Sequence, residues 1–292
     1  MKNLTKIVAG LALLSSAAVT TASPLFVDTG VNGDGDADTR TDTFLSFVFN
    51  QFTPTSAYLD LEGDGINNGT LVFDSGVATI GSLSPLGFGS SLEGFNTDWG
   101  LQIEYELFGF AAIADDVNNN GLFEAGDTLA AQFVDGFLNM NYLDSNGSTP
   151  FLQIDVTGSA FNINQGVNFS IFGQPISASN MLNTEESFFG STGFGDSINN
   201  LDPVNISALS SLLIGDATQA PTVDNNFGVT TFQQNVLDSL GLGTLPQTAQ
   251  WLTRTTSINT ASLTLEVPAP SSLAVFGLGL LGLGFSRRLK SK

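Results

Sequence analysis

The sequence predicts an all-β fold, an antiparallel sandwich or jelly-roll-like single domain, and three observations carry that prediction. Apolar and polar residues alternate at period two over several stretches, the stretches are separated by Asn-Gly, Asp-Gly and glycine-rich turns, and no strand–helix–strand rhythm intervenes. The composition agrees. With 32 Gly, abundant Asn, Ser and Thr, and few windows rich in Ala, Glu or Lys, long helices are disfavoured.

In chain order, residues 43–49, 69–73, 99–108, 151–156 and 166–172 alternate and read as strands. Residues 182–226 carry Gly, Ser, Asn and Asp with sparse alternation and are predicted as a long loop region inside the domain. Two short stretches break the β pattern, 206–213 and 236–240, and each is predicted as a short helix. Residues 261–267 read as a last strand that leads straight into the C-terminal segment. No internal repeat of fixed period is present.

Both extremities read as addresses. Lys2 and Lys6 form a positive start, residues 7–14 an apolar run, and Thr20-Thr21-Ala22 offers the small residues that a signal peptidase reads, which predicts a signal peptide over 1–22 with cleavage after Ala22. At the other end, Pro268-Ala269-Pro270 precedes an apolar stretch that closes on Arg287, Arg288, Lys290 and Lys292. The run from Leu273 to Phe285 is short of the ~20 residues that a helix needs to cross a bilayer, and lengthening it to Pro270 makes a marginal span. Basic residues flanking such a span stay in the cytoplasm, so everything before Val267 is placed outside the inner membrane. The expected organisation is 1–22 signal peptide, 23–266 acidic β-rich extracellular domain, and 267–292 sorting or anchor segment.

This tripartite tail resembles the sorting signal of PEP-CTERM proteins, in which a Pro-Glu-Pro motif precedes a Gly- and Leu-rich hydrophobic helix and a terminal Arg/Lys cluster. Pro268, Ala269 and Pro270 match the motif with alanine in place of its glutamate, and residues 277–288, ending in Arg287 and Arg288, match the hydrophobic and basic portions. The resemblance implies handling by an exosortase-type processing enzyme, transient anchoring in the inner membrane through the C-terminal helix, and delivery to the surface or extracellular polysaccharide of a Gram-negative bacterium. In composition the body is similar to the flocculation-associated members of that group.

Setting the two address segments aside changes the charge picture. All 28 acidic residues lie within 23–266, opposed there only by Arg40 and Arg254, which leaves 26 net negative charges and no histidine. Such a surface repels phosphate backbones, so nucleic acid is excluded as a partner, while divalent cations and cation-bridged acidic exopolysaccharide are favoured. The chain is nonetheless 42% hydrophobic with 24 Phe, enough to build a core rather than remain disordered. Absence of Cys and His removes disulfides, thiol nucleophiles, Ser-His-Asp triads and histidine-ligated metals. Only carboxylate chemistry remains.

Residues 116–127 carry the strongest chemical motif. Asp116, Asn118, Asn120, Gly121 and Asp127 fall at positions one, three, five, six and twelve of the EF-hand calcium loop, with Asp127 where that loop has Glu. Asp116, Asn118 and Asn120 would supply side-chain oxygens to Ca²⁺, Leu122 its carbonyl, and Gly121 the sharp turn; Glu124 or a water would add one more. The competing reading is an Asn-Gly turn with solvated carboxylates. Two weaker segments, 28–38 and 60–65, offer alternating oxygens but lack a twelfth-position ligand.

Paired carboxylates raise an alternative. Glu104 and Glu106 stand two apart on a predicted strand and so share a face, the arrangement a glycoside hydrolase could use, although Trp99 and Trp251 are few for a sugar-stacking platform. The reading favoured by the whole sequence is a non-catalytic exported protein of the cell surface or extracellular matrix, with biofilm or floc formation implied by the family resemblance. A secreted carbohydrate-binding module or carboxylate-dependent glycoside hydrolase is the alternative.

Overall fold

A computed structural model describes residues 24–28, 40–84, 94–162, 168–178, 189–191, 207–214 and 219–266. The predicted signal peptide lies outside these residues. Antiparallel strands dominate: β1 (Leu25–Val27), β2 (Ser46–Phe49), β3 (Thr55–Asp60), β4 (Leu71–Ser84), β5 (Gly100–Asp115), β6 (Thr128–Asp144), β7 (Gly147–Asn162), β8 (Asn168–Ala178), β9 (Phe189–Ser191), β10 (Ser207–Ile214), β11 (Thr222–Val223), β12 (Gln250–Thr255) and β13 (Ile258–Glu266). Among the described residues one helix, α1 (Thr231–Ser239), interrupts them.

Eleven of these strands form one sheet, and the sheet closes on itself. β2 and β3 pair in succession with the same edge of β4, Ser46 opposite Ser84 and Leu59 opposite Leu71, so they make one interrupted stave. β12 and β13 pair in succession with β3 and β2 and make another. From β4 the order runs through β5, β6, β7, β8 and β10 to β13, which returns to β2, every pairing antiparallel. The ring therefore has about eight staves, the number at which side chains just fill the interior. This closed meander replaces the expected sandwich or jelly-roll. The other described sheet is only the two-stranded pair β1–β9, too small to form the second layer of a sandwich, and closure removes the edges that an open sheet would have to protect.

The period-two pattern assigns the two faces. Tyr58, Val72, Ile80, Leu101, Ile103, Leu107, Met140, Ile154 and Leu263 belong to the interior cluster, whereas their neighbours Leu59, Phe73 and Phe108 point outward into a second cluster with Val236 and Leu237 of α1. On the described parts of β5, β6 and β7, outward Gln102, Glu104, Asn139, Gln153 and Asp155 alternate with interior Leu101, Ile103, Leu138, Leu152 and Ile154.

The predicted helix at 236–240 is present but begins earlier. Thr230 caps α1 in a reciprocal capping box with Gln233, each side chain bonding the other's backbone N–H, which starts the helix at Thr231. The other predicted helix is not one. Residues 207–214 form β10, hydrogen-bonded to β8 on one side and β13 on the other, so pairing on both edges overrides a local preference that is weak in any case. With β9, β10 and β11 all inside 182–226, the expected loop region is also corrected. Its sparse alternation reflects short strands, one of them held on both edges by partners distant in sequence.

Thr230 also donates to Glu106 Oε2 at 2.6 Å, which sets a carboxylate beside the helix N-terminus, where the dipole favours it. Thr230→Ala breaks both the cap and this tie. A loss of about 1–2 kcal/mol is expected in denaturant unfolding monitored by circular dichroism, and an unchanged midpoint would show that α1 is held by its apolar face alone.

Candidate functional site

Two acidic loops meet at one end of the barrel. The β3–β4 loop follows Asp60 and the β5–β6 loop follows Asp115, and they are joined by a bridge between Asn67 and Leu122 and by Phe123 N–H donating to the Ile66 carbonyl at 2.8 Å. In the second loop Asp116 accepts from Asn120 N–H at 3.3 Å and Gly121 N–H at 2.8 Å, a turn that requires the positive φ of 76° at Gly121. Asn120 Oδ1 accepts from Leu122 N–H, and Asn118 donates to Glu124 Oε2. Asp127 is fully buried. Its two oxygens accept from Val117 N–H at 2.9 Å and Glu124 N–H at 2.8 Å, clamping the loop's ends together.

The structure thus brings Asp116, Asn118, Asn120, Leu122 and Asp127 into one tightly braced turn. Among the described residues no group of three or more His, Cys, Asp or Glu side chains is arranged to hold a metal ion. An ion in the 116–127 turn would draw mainly on amide and main-chain oxygens and on the second lone pairs of the Asp116 and Asp127 carboxylates. The donor set is oxygen-only, which is the set that suits calcium.

Asp60 plays the equivalent bracing role in the first loop. It accepts from Glu62, Gly63 and Gly65 N–H groups and from Gln250 Nε2. Desolvation works to raise its pKa, but the bonds from Gln250, Gly65, Gly63 and Glu62 outweigh it and hold the carboxyl below the usual value. A groove of ≈ 380 Å³ runs beside this loop, lined by Asp60, Glu62, Asp64, Leu71, Leu240 and Leu242. In the third acidic segment Asp28 is buried and paired with Arg40 at 3.2 Å, and residues 29–39 lie outside those described.

Inside the barrel sits a polar cluster that belongs to none of the acidic motifs of the sequence. Asp74 accepts from Ser56 Oγ at 2.5 Å and from Tyr105 Oη at 2.9 Å, and Gly76 leaves room for the Tyr105 ring, which stands 2.9–3.0 Å from where a Cβ would be. Arg254 donates to the Leu129 carbonyl at 3.1 Å and lies over the Tyr58 ring, 5.6 Å from its centroid. Burial pushes the Asp74 carboxyl up to about 6, against the lowering pull of Ser56, Tyr105 and Arg254. Burial first, and then the Asp74 charge and hydrogen bond, push the Tyr105 phenol well above its ordinary value. A signal for this cluster was present in the sequence: Arg254, one of two cations between 23 and 266, falls on an alternating strand.

Glu104 and Glu106 do share the outer face of β5, opposite Asn139 and Phe137. Glu106, however, is spent on the α1 cap rather than facing a partner carboxylate.

β13 ends at Glu266, paired with Ser207, and Glu266 is the last of the described residues. Residues 266–288 match the model of the PEP-CTERM protein-sorting motif. The chain is therefore an exported protein targeted to the cell envelope and processed by an exosortase-type enzyme. The PEP-CTERM match takes in Pro268, Ala269, Pro270, Arg287 and Arg288, all of which lie outside the described residues, as does the apolar run from Leu273 to Phe285. Among the described residues no helix is long and apolar enough to cross a membrane. Neither curated proteins nor solved structures give a match to the chain.

Proposed function

We propose that the chain is a non-catalytic structural protein of the cell surface or extracellular matrix of a Gram-negative bacterium, associated with acidic exopolysaccharide in biofilm or floc formation. The observation that carries the reading is the PEP-CTERM segment joined directly to the closing strand of a barrel whose interior is packed with side chains. Support comes also from the fate of the carboxylates: Asp60, Asp116 and Asp127 brace turns, Glu106 caps a helix and Asp74 is buried. None of these five is set as a facing acid/base pair. A strain lacking the chain should form weaker flocs and shed exopolysaccharide, and the full-length chain should restore both while a chain lacking 267–292 should not. Normal flocculation and matrix retention in the deletion strain would overturn the proposal.

Calcium is its companion. Asp116, Asn118, Asn120, the Leu122 carbonyl and Asp127 would hold the ion, which would offset local repulsion and bridge to acidic polymer. With extracellular-type affinity, on the order of 10⁻⁴ to 10⁻³ M, calcium at about 1 mM should stabilise the protein by about 0.4–1.4 kcal/mol and raise its melting temperature by a few degrees. Asp116→Ala should abolish that rise. The braced-turn alternative predicts no rise in either protein, and calorimetry decides between them.

A further inference from the structure

The two ends of the barrel differ, and the sorting segment leaves from only one of them. At the end where Glu266 pairs with Ser207 stand the finish of β4, the start of β5, the turn at 94–99 and the β6–β7 hairpin closed by Asp144 and Gly147. At the opposite end stand both acidic loops and, beyond β10, the segment that carries α1. Ala269 lies three residues past Glu266, so fully extended chain can carry it no more than about 10 Å from the rim. The barrel itself is much longer. β5 runs from Gly100 to Asp115, which at ~3.3 Å per residue and a tilt of about 40° separates the two rims by roughly 40 Å.

Resting on the sorting reading, we infer that the barrel stands end-on against the membrane before processing, with the hairpin 144–147 and the turn 94–99 facing the bilayer surface and the two acidic loops facing away. The arrangement also means that the processing enzyme meets its motif within a few residues of a strand hydrogen-bonded on both edges, so it must approach from the near rim.

The chain has no cysteine, which allows single labels. Full-length Asn146→Cys and Val117→Cys variants, produced in a host without the processing enzyme, would each carry a donor dye and be reconstituted in phosphatidylcholine/phosphatidylglycerol vesicles containing a headgroup acceptor. Asn146 and Val117 are both exposed, one at each end. Energy transfer from position 146 is expected to exceed that from 117 severalfold. Equal transfer, or the reverse order, with both proteins floating with the vesicles, overturns the orientation while leaving the sorting reading intact. Full-length chain that does not float with vesicles removes the anchoring on which the inference rests.

Discussion

Replacing Arg254 with methionine is expected to cost about 3–5 kcal/mol at pH 7. The guanidinium is buried inside the barrel, donates to the Leu129 carbonyl at 3.1 Å and to the Gln219 carbonyl at 3.5 Å, and covers the Tyr58 ring. Methionine fills much of the volume but supplies neither donors nor charge. The carbonyl of Leu129 loses that bond and Asp74 loses the one positive charge that lowers its pKa. Denaturant midpoints at pH 5 and pH 7.5 test the electrostatic share. If Arg254 acts through Asp74, the deficit is smaller at pH 5, where Asp74 is protonated, and larger at pH 7.5. An equal deficit at both would mean that Arg254 acts through its hydrogen bonds and packing alone.

The sign follows from the direction of the Asp74 shift. Its carboxyl is raised from 3.8 to about 6 in the folded protein, so the fold holds this proton more tightly than the unfolded chain does. Stability from this group is then fullest below pH 4, falls as pH rises through 4 to 6, and is level above, by an amount on the order of 3 kcal/mol. Asp74→Asn keeps an acceptor for Tyr105 and cannot ionise. Its stability relative to the parent should therefore improve between pH 4 and pH 7, and a constant difference would show that Asp74 is not the group that titrates.

Strands and tail were legible in the sequence for different reasons. The alternation at 99–108 and 151–156 marks one face of each strand as buried, and β5 and β7 bury the faces that it marks. The sorting segment is legible because its apolar run and basic end are contiguous. Barrel closure was not, because the pairing of Ala261 with Phe49 joins residues more than two hundred apart and no local pattern encodes it. The helix expected over 206–213 fails for the same reason: the β conformation of 207–214 is imposed by β8 and β13. The full length of α1 was encoded, in Thr230 and Gln233 three residues apart, a capping signature outside the apolar stretch that suggested the helix. At the 116–127 loop the order of ligand-type residues was legible, but the use of Asp127 as a buried clamp depends on Val117 and Glu124 amides that only the folded turn brings to it.

Adding a single methyl group at Gly109 is the second severe test, because it strikes the register that closure depends on. Gly109 sits where the β5–β6 register shifts, between Phe108 opposite Asp135 and Gly109 opposite Phe133. A Cβ there would lie 2.0 Å from the Gln132 carbonyl oxygen and 2.7 Å from Gln132 C and Phe133 Cα, all backbone atoms that cannot rotate away. Relief requires β6 to move off β5 at a point where Phe133 N–H is also tied to Ser159 Oγ of β7 at 2.7 Å. Gly109→Ala should therefore cost about 3 kcal/mol, at or beyond the upper end for overpacking. Gly158 offers a matched control. It too marks a register shift, between β7 and β8, yet nothing lies within 4 Å of its Cβ position. Gly158→Ala should be neutral or stabilising by up to about 1 kcal/mol, because it restricts only the unfolded chain. Urea unfolding of the two variants side by side separates close approach of backbone from the general cost of losing a strand glycine. Equal midpoints would mean that the β5–β6 pair opens at Gly109 without loss, and that closure of the ring is looser than its pairing implies.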